Sequence, residues 1–185
     1  MNKKNNSEIA GFSDVKEESL SDFPIGKVAR TVREIISPNF SSHDVECITV
    51  VLVSHLMIEE RINSLIITWL TKHLPQTSRK NKQGVSFNDV ARNELVKYVD
   101  KLDFTKKLNL IKPLGTILWG DDSEGIFNDF YKINMARVEI AHRLDIKSVQ
   151  IDNQSLATEE GVERFLNLAQ QRLLNLSDLI ELIDG

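Results

Sequence analysis

The sequence predicts an all-α fold, a bundle of about four to six helices. In several long segments the apolar side chains recur at alternating steps of four and three residues, which is the spacing of an amphipathic helix. The 185-residue chain also has only eight Gly and four Pro, so we expect short loops and long elements. No convincing pair of strands interrupts this pattern. With 185 residues, of which 41% are hydrophobic, the chain is long enough and apolar enough to bury one sizeable core.

Residues 1–22 are polar and mixed in charge, without the apolar stretch that marks a signal peptide. We expect them to form a flexible amino-terminal arm, followed by a single helical domain over residues 23–185. The lone Cys47 has no partner for an internal disulfide, which fits a reducing compartment. We therefore expect a cytoplasmic protein.

Residues that end or cap a helix predict the bounds of the first two helices. The segment FPIGKVARTVREII (23–36) is amphipathic and should stop ahead of Pro38, because the residue before a proline disfavours helical dihedrals. Ser41 or Ser42 then caps a long helix that reaches about His73. Charged and polar side chains interrupt the apolar run of this helix, so we expect a buried core helix and no membrane span.

Two shorter helices follow a basic, polar connection over residues 76–84. One of them covers roughly 86–100. The other covers 103–112 and should be ended by Pro113 and Gly115, because proline and glycine are the strongest breakers of a helical pattern.

Two long helices complete the predicted bundle. The first runs from about Ser123 to Leu144, and a short extended loop over 145–155 separates it from the second, which Thr158 caps. The apolar positions of the last helix keep the four-three spacing: 162, 166, 169, 173, 176, 180 and 183. We expect this stripe to close the core of the monomer or, alternatively, to form a surface for a dimer or partner.

The charge and composition of the chain limit the function classes. A net charge of −4 argues against broad attraction to nucleic acid, but it leaves room for a small basic site. An aromatic content of 6% leaves no evident base-stacking platform. No metal-ligand spacing and no phosphate-cradling glycine loop occurs, so we expect neither a metal nor a cofactor.

An arginine occupies an apolar stripe of the penultimate helix. The stripe contains Phe130, Ile133, Ile140 and Leu144, and its missing step falls on Arg137. A guanidinium is almost never buried without a partner, because its desolvation costs several kcal/mol. We therefore expect one of three arrangements: the head snorkels to water, a carboxylate meets it, or it lines a polar cleft.

The long helix that reaches His73 offers such a carboxylate. His55, Glu59 and Asn63 follow one another at intervals of four, so they form a polar line on an otherwise apolar helix. We predict that Glu59 faces Arg137 across the bundle and neutralises it. The alternative is that Glu59 belongs to the solvated edge of its own helix.

His142 lies five residues after Arg137, which is about 140° around an ideal helix. Asn134 and Ala141 project between them, so a cleft centred there would receive both side chains. A lone histidine near a helix end is also a common surface residue or a favourable charge at the carboxyl terminus. A histidine that titrates near neutrality is, in addition, suited to general acid or base catalysis.

The segment INMARVEIAHRLD resembles the signature of the HEPN superfamily, whose last core helix carries Arg, four to six intervening residues and then His. Here the match runs from Arg137 to His142. The segment VVLVSHLMIEERINSLI is similar to the first long helix of that superfamily, and FTKKLNLIKPLG is similar to its middle helix, with a lysine and a terminal glycine. The resemblance covers roughly residues 41–183.

The resemblance implies a metal-independent endoribonuclease, often a toxin or an antiviral defence effector, that works on RNA as a two-fold homodimer. Arg137 would bind and stabilise the phosphate, His142 would act as general acid or base, and Asn134 and Glu59 would support them. One histidine cannot take and give a proton in a single step, so two copies of the site at a shared cleft fit this chemistry. An antitoxin or a regulatory protein is a further expected partner.

Two features leave a second function open. Many active members of the superfamily carry a polar residue directly after the arginine, and here that residue is Val138. Lys132, Arg143 and Lys147 would suit RNA, but they also fit an ordinary solvated helix face. The alternative is a non-catalytic, dimeric interaction or regulatory protein of the superfamily, similar to mannitol-operon repressors.

Overall fold

The computed structural model describes residues 24–73, 80, 84, 86–143 and 146–184. This part of the chain is an all-α bundle, as the sequence predicts, and the expected arm over residues 1–22 lies outside it. Its six α-helices are α1 (Pro24–Ile36), α2 (Ser42–Lys72), α3 (Phe87–Asp100), α4 (Phe104–Trp119), α5 (Ser123–Arg143) and α6 (Glu159–Asp184). The remaining elements are short 3-10 turns and one small hairpin, with strands β1 (Gln150–Ile151) and β2 (Gln154–Ser155).

Four of these helices begin at a residue whose side chain accepts a hydrogen bond from a backbone N–H of the first turn. The caps are Ser41, Ser86, Asp103 and Thr158. Such a cap satisfies one of the amide groups that have no partner at a helix start. The sequence left Ser41 and Ser42 as alternatives for α2, and the structure places the cap at Ser41.

Helix α2 lies at the centre of the bundle and packs against every other helix. Because it has neighbours on most sides, its buried residues cover most of its circumference, and Ile48, Ile58 and Ile62 are fully buried. The apolar side chains of the helices and the hairpin join it in one hydrophobic core. This explains why the run around His55 is apolar without being a membrane span.

Helix α4 is longer than the sequence predicts. The expected end before Pro113 is wrong, because the helix continues through this proline to Trp119. An internal proline costs about 3 kcal/mol, since it lacks the N–H donor and its ring crowds the preceding turn. Packing on both sides offsets that cost: Ile111 is fully buried, and the ring centroids of Trp119 and Phe127 lie 5.6 Å apart.

Gly115, the second expected breaker, lies inside α4 as a close-packing position. A Cβ atom at this residue would lie 2.6 Å from Cζ3 of Trp119 and 2.8 Å from Cε2 of Phe127. Glycine is therefore required by the approach of two aromatic rings and does not end the helix. The helix ends at Gly120, which has a φ of 55°, a conformation that favours glycine.

The segment after α5 forms a hairpin where the sequence predicts an extended loop. Strands β1 and β2 pair in antiparallel fashion through two residues each. The two turn residues, Asp152 and Asn153, have positive φ values of 48° and 68°, which these residue types tolerate in two-residue hairpin turns. Ile151 is buried, so the hairpin covers one edge of the core.

Helix α6 closes the core along α2. Ala169, Leu176 and Ile183 of the apolar stripe are buried, which favours the first of its two expected roles. Its first turn also packs tightly on the hairpin, because a Cβ atom at Gly161 would lie 2.0 Å from the carbonyl oxygen of Ser155. The hairpin and α6 thereby fix the position of the carboxyl-terminal half of α5.

Candidate functional site

Arg137 does not lie in the buried stripe of α5, and the prediction that it does is wrong. The buried residues of α5 are Ile126, Phe127, Phe130, Ile133, Ala136 and Ile140. Ala136, only 3% exposed, occupies the step that the spacing assigns to Arg137, and Arg137 itself is exposed. The arrangement avoids the large cost of taking a guanidinium out of water. Leu144, the last predicted member of the stripe, lies outside the described residues.

Glu59 does not pair with Arg137, which corrects the second prediction. Oε1 of Glu59 lies 2.5 Å from Nζ of Lys107, on α4. Lys107 is only 2% exposed, whereas Arg137 is on the surface, so the buried ammonium has the greater need for a carboxylate. Among the described residues, Arg137 forms no ion pair.

His55 links this ion pair to α5. Its Nε2 lies 3.1 Å from Oδ1 of Asn134, and its Nδ1 lies 3.8 Å from Oε2 of Glu59. The imidazole also packs on the ring of Phe104, with centroids 4.7 Å apart. Lys107, Glu59, His55 and Asn134 therefore form a continuous line of polar side chains from α4 through α2 to α5, which we call the polar chain.

The surroundings of His55 keep its imidazole neutral near neutral pH. Burial lowers the pKa of His55 below its usual 6.5, and the positive charges of Arg137 and Lys107 act in the same direction. The Glu59 carboxylate and the hydrogen bond to Asn134 oppose this pKa shift. Arg137 follows Asn134, the last residue of the polar chain, by three positions on α5, and side chains with this spacing are neighbours on a helix surface.

His142 lies in the exposed last turn of α5. On an ideal helix, with about 100° per residue, Asn134, Val138 and Ala141 project between Arg137 and His142. Ala141 is exposed, while Asn134 and Val138 are half-buried. The two sequence-predicted catalytic residues thus flank one surface of α5, which we call the α5 face, and the polar chain ends on it at Asn134.

Of the three other residues predicted to suit RNA, which are Lys132, Arg143 and Lys147, Lys132 has two carboxylate partners. Its Nζ lies 3.0 Å from Oδ1 of Asp129 and 2.8 Å from Oδ1 of Asp152, and these hydrogen bonds raise the pKa of Lys132. Asp152 also binds Arg164, so Lys132 ties α5 to the hairpin and to α6. Arg143 is exposed at the end of α5.

Sequence reasoning missed Lys107 as a member of the site, although the sequence carries a signal for it. Lys107 lies three residues after Phe104 and four before Ile111, both of which are buried on the inner side of α4. A lysine at such a position needs a partner, as an arginine does. The spacing within one helix does not reveal, however, that its partner is the carboxylate of Glu59.

Within the described ranges no helix is long and apolar enough to cross a membrane, and no three His, Cys, Asp or Glu side chains gather as ligands for a metal ion. Comparisons of the chain with models of protein families, with curated proteins and with solved structures found no match.

Proposed function

We propose that the protein is a metal-independent endoribonuclease of the HEPN type, with an active site formed where the α5 faces of two copies meet. The observation that carries this proposal is that Arg137 and His142 are both exposed and flank the α5 face, about 140° apart around an ideal helix. Neither side chain has an ion-pair partner among the described residues. The guanidinium and the imidazole are therefore accessible to a phosphate and to the hydroxyl group beside it.

The two residue types suit cleavage of RNA by its own 2′-hydroxyl group. The 2′-oxygen attacks phosphorus, the bond from phosphorus to the 5′-oxygen breaks, and the products are a 2′,3′-cyclic phosphate and a 5′-hydroxyl. Arg137 binds the phosphate and stabilises the charge on its oxygens through paired N–H donors. His142 acts as the base that takes the 2′-hydroxyl proton or as the acid that protonates the leaving oxygen.

A second copy of the chain supplies the other proton-transfer group. A two-fold interface uses the same surface on both subunits, so each copy contributes one Arg137 and one His142 to a shared cleft. The character of the surface supports such a contact, because apolar Val138 and Ala141 lie between the polar groups and Met135 (54% exposed) lies just beyond His142 around the helix. Methionine is enriched in protein interfaces relative to the rest of a protein surface.

The second candidate function is a non-catalytic, dimeric regulatory protein that uses the same surface. The observation that favours it is Val138, which places an aliphatic side chain on the α5 face directly after Arg137. An aliphatic group offers neither a hydrogen bond nor a proton to a substrate. In this function Arg137 and His142 serve contacts with an antitoxin-like or regulatory partner.

The test is to incubate purified protein with a mixed RNA pool in excess chelator. We expect cleavage with cyclic phosphate ends, and we expect His142→Ala to abolish it, while His73→Ala, at an exposed histidine beyond the end of α2, leaves it unchanged. An intact RNA pool at high protein concentration would overturn the ribonuclease and favour the regulatory protein. A monomer at micromolar concentration in a light-scattering measurement would contradict both.

A further inference from the structure

We propose that His55 is a positioning residue for the α5 face: it fixes the side-chain amide of Asn134 so that this amide and Arg137 bind the same phosphate. The inference rests on the proposed function and deepens it, because it assigns a phosphate contact to Asn134 and a role to the polar chain. His55 itself is only 4% exposed and acts through Asn134.

The hydrogen bond between the two residues sets the direction of the amide. Asn134 presents its Oδ1 atom to Nε2 of His55 at 3.1 Å. A carbonyl oxygen only accepts, so Nε2 carries the proton and donates it. The Nδ2 group of Asn134 is consequently turned away from His55, and it makes no hydrogen bond to any described residue.

Asn134 and Arg137 are close enough to hold one anion. They are three residues apart on α5, and side chains with this spacing are neighbours on a helix surface, about 5–6 Å apart at Cβ. Nδ2 of Asn134 supplies neutral donors and the guanidinium of Arg137 supplies charged ones, a combination that suits the oxygens of a phosphate. Glu59, the carboxylate nearest to His55, is held by Lys107 and so does not compete for Arg137.

The rest of the polar chain holds His55 in place. Its ring lies between Phe104 of α4 and Asn134 of α5 and faces the Glu59–Lys107 ion pair. Glu59, Lys107 and Arg137 are the charged groups that act on it, and they come from α2, α4 and α5. An imidazole held by contacts from three helices has one orientation. Its hydrogen bond to Oδ1 then fixes the orientation of the Asn134 amide.

The inference is tested with His55→Gln, His55→Phe, Asn134→Ala and the double variant His55→Phe/Asn134→Ala. We expect His55→Phe to lose about 10- to 100-fold in kcat/KM on a defined RNA oligonucleotide, because a misplaced binding group is costly. His55→Gln keeps an N–H donor and should recover most of the activity. The double variant should be no worse than Asn134→Ala alone, since both changes remove the same contact.

Two measurements separate positioning from folding. Circular dichroism should show the same helix content in every variant, and the dissociation constant of a 2′-O-methyl RNA oligonucleotide, which is not cleaved, should rise in His55→Phe and recover in His55→Gln. Nitrogen-15 chemical shifts of the imidazole should show the proton on Nε2 of His55. A proton on Nδ1 alone, or full activity in His55→Phe, would overturn the inference.

The outcome also distinguishes this inference from the proposed function. Wild-type protein that leaves RNA intact overturns both. Wild-type protein that cleaves RNA and is inactivated by His142→Ala, while His55→Phe and Asn134→Ala remain fully active, overturns only the positioning role of His55.

Discussion

The ammonium nitrogen of Lys107 lies 2.5 Å from Oε1 of Glu59, in an ion pair that joins α4 to α2 beneath the α5 face. Lys107 is almost fully buried, and the Glu59 side chain keeps 26% of its surface exposed. The pair therefore neutralises a cation that the fold has taken out of water, and it does so next to the imidazole of His55.

Removing this carboxylate should destabilise the protein more than removing a surface carboxylate. We expect Glu59→Ala to lower the free energy of unfolding by roughly 3 kcal/mol, because it leaves a buried ammonium without a partner. Lys107→Met in the same chain should recover most of that loss. Urea unfolding followed by circular dichroism measures both effects.

The matched control is the exposed pair Glu94–Lys97 on α3, with an N–O distance of 2.7 Å. Glu94→Ala should leave the unfolding midpoint unchanged, since ion pairs in full contact with water contribute little. Equal losses in Glu59→Ala and Glu94→Ala would contradict the importance of burial for the Glu59–Lys107 pair.

Two glycines should respond to alanine in opposite directions. Gly115→Ala forces a Cβ atom against the rings of Trp119 and Phe127, and we expect a loss of about 1–3 kcal/mol in the free energy of unfolding. Gly125, in α5, has no atom within 4 Å of an added Cβ. Gly125→Ala should stabilise the helix by about 0.5–1 kcal/mol. A stable Gly115→Ala protein would show that the aromatic rings move apart easily.

The stability of the protein should fall on mild acidification because of His55. Its folded-state pKa is lowered from 6.5, first by burial, so between this pKa and 6.5 the unfolded chain binds more protons than the folded one. The free energy of unfolding should then decrease as the pH falls through 6.5 and level off below the folded pKa. Urea titrations between about pH 7.5 and pH 5 measure this dependence.

The variant His55→Gln isolates the contribution of that one group, because glutamine does not titrate. Its unfolding free energy should depend less on pH in this window than that of the wild type. The carboxyl pKa of Asp152, which its hydrogen bond with Lys132 lowers below 3.8, contributes only at more acidic pH. Identical pH profiles for the wild type and His55→Gln would contradict the lowered pKa of His55.

Arg137→Lys should separate function from stability. Arg137 is exposed, so we expect the free energy of unfolding to change by less than about 0.5 kcal/mol. Lysine keeps the charge but loses the paired donors of the guanidinium, and RNA cleavage should fall about 100-fold. Urea unfolding and initial cleavage rates test the two expectations. A large loss of stability would indicate a buried guanidinium after all.

The sequence predicts most of the fold because its local signals agree. The caps at Ser41 and Thr158 and the apolar spacing each depend only on residues within the same helix, so they can be recognised without knowledge of the partner helices. Pro113 is one exception. Its local preference predicts a helix end, but the packing of Ile111 and Trp119 on either side of it outweighs that preference.

The predicted location of Arg137 is wrong because alternating steps of four and three have a period of 3.5 residues, whereas the α-helix has 3.6 residues per turn. Each step of seven residues falls about 20° short of two full turns. From Ile126 through Ile133 to Ile140, the buried stripe therefore moves by about 40° around α5, towards Ala136 and away from Arg137. The drift accounts for the burial of Ala136 near the carboxyl end of α5, whereas the exposure of Arg137 also depends on how α5 packs against its neighbours.

The polar chain could be predicted only in part. The line of His55 and Glu59 on α2 follows from their spacing, and so does the inward position of Lys107 on α4. Which carboxylate meets which cation depends on the rotation and height of α2, α4 and α5 relative to one another. The rotation and height of the helices are set by packing across the bundle and cannot be deduced from the sequence of any single helix.

The position of α2 at the centre of the bundle also affects how the molecule opens. Backbone amides in the middle of α2 can exchange with deuterium only when several surrounding helices separate together, so their exchange should be the slowest in the chain. Helix α1 packs mainly on α2 and can detach alone. Among the helices, deuterium uptake should therefore begin in α1 and reach the backbone around His55 last. Detachment of α1 would then leave the contact between His55 and Asn134 intact.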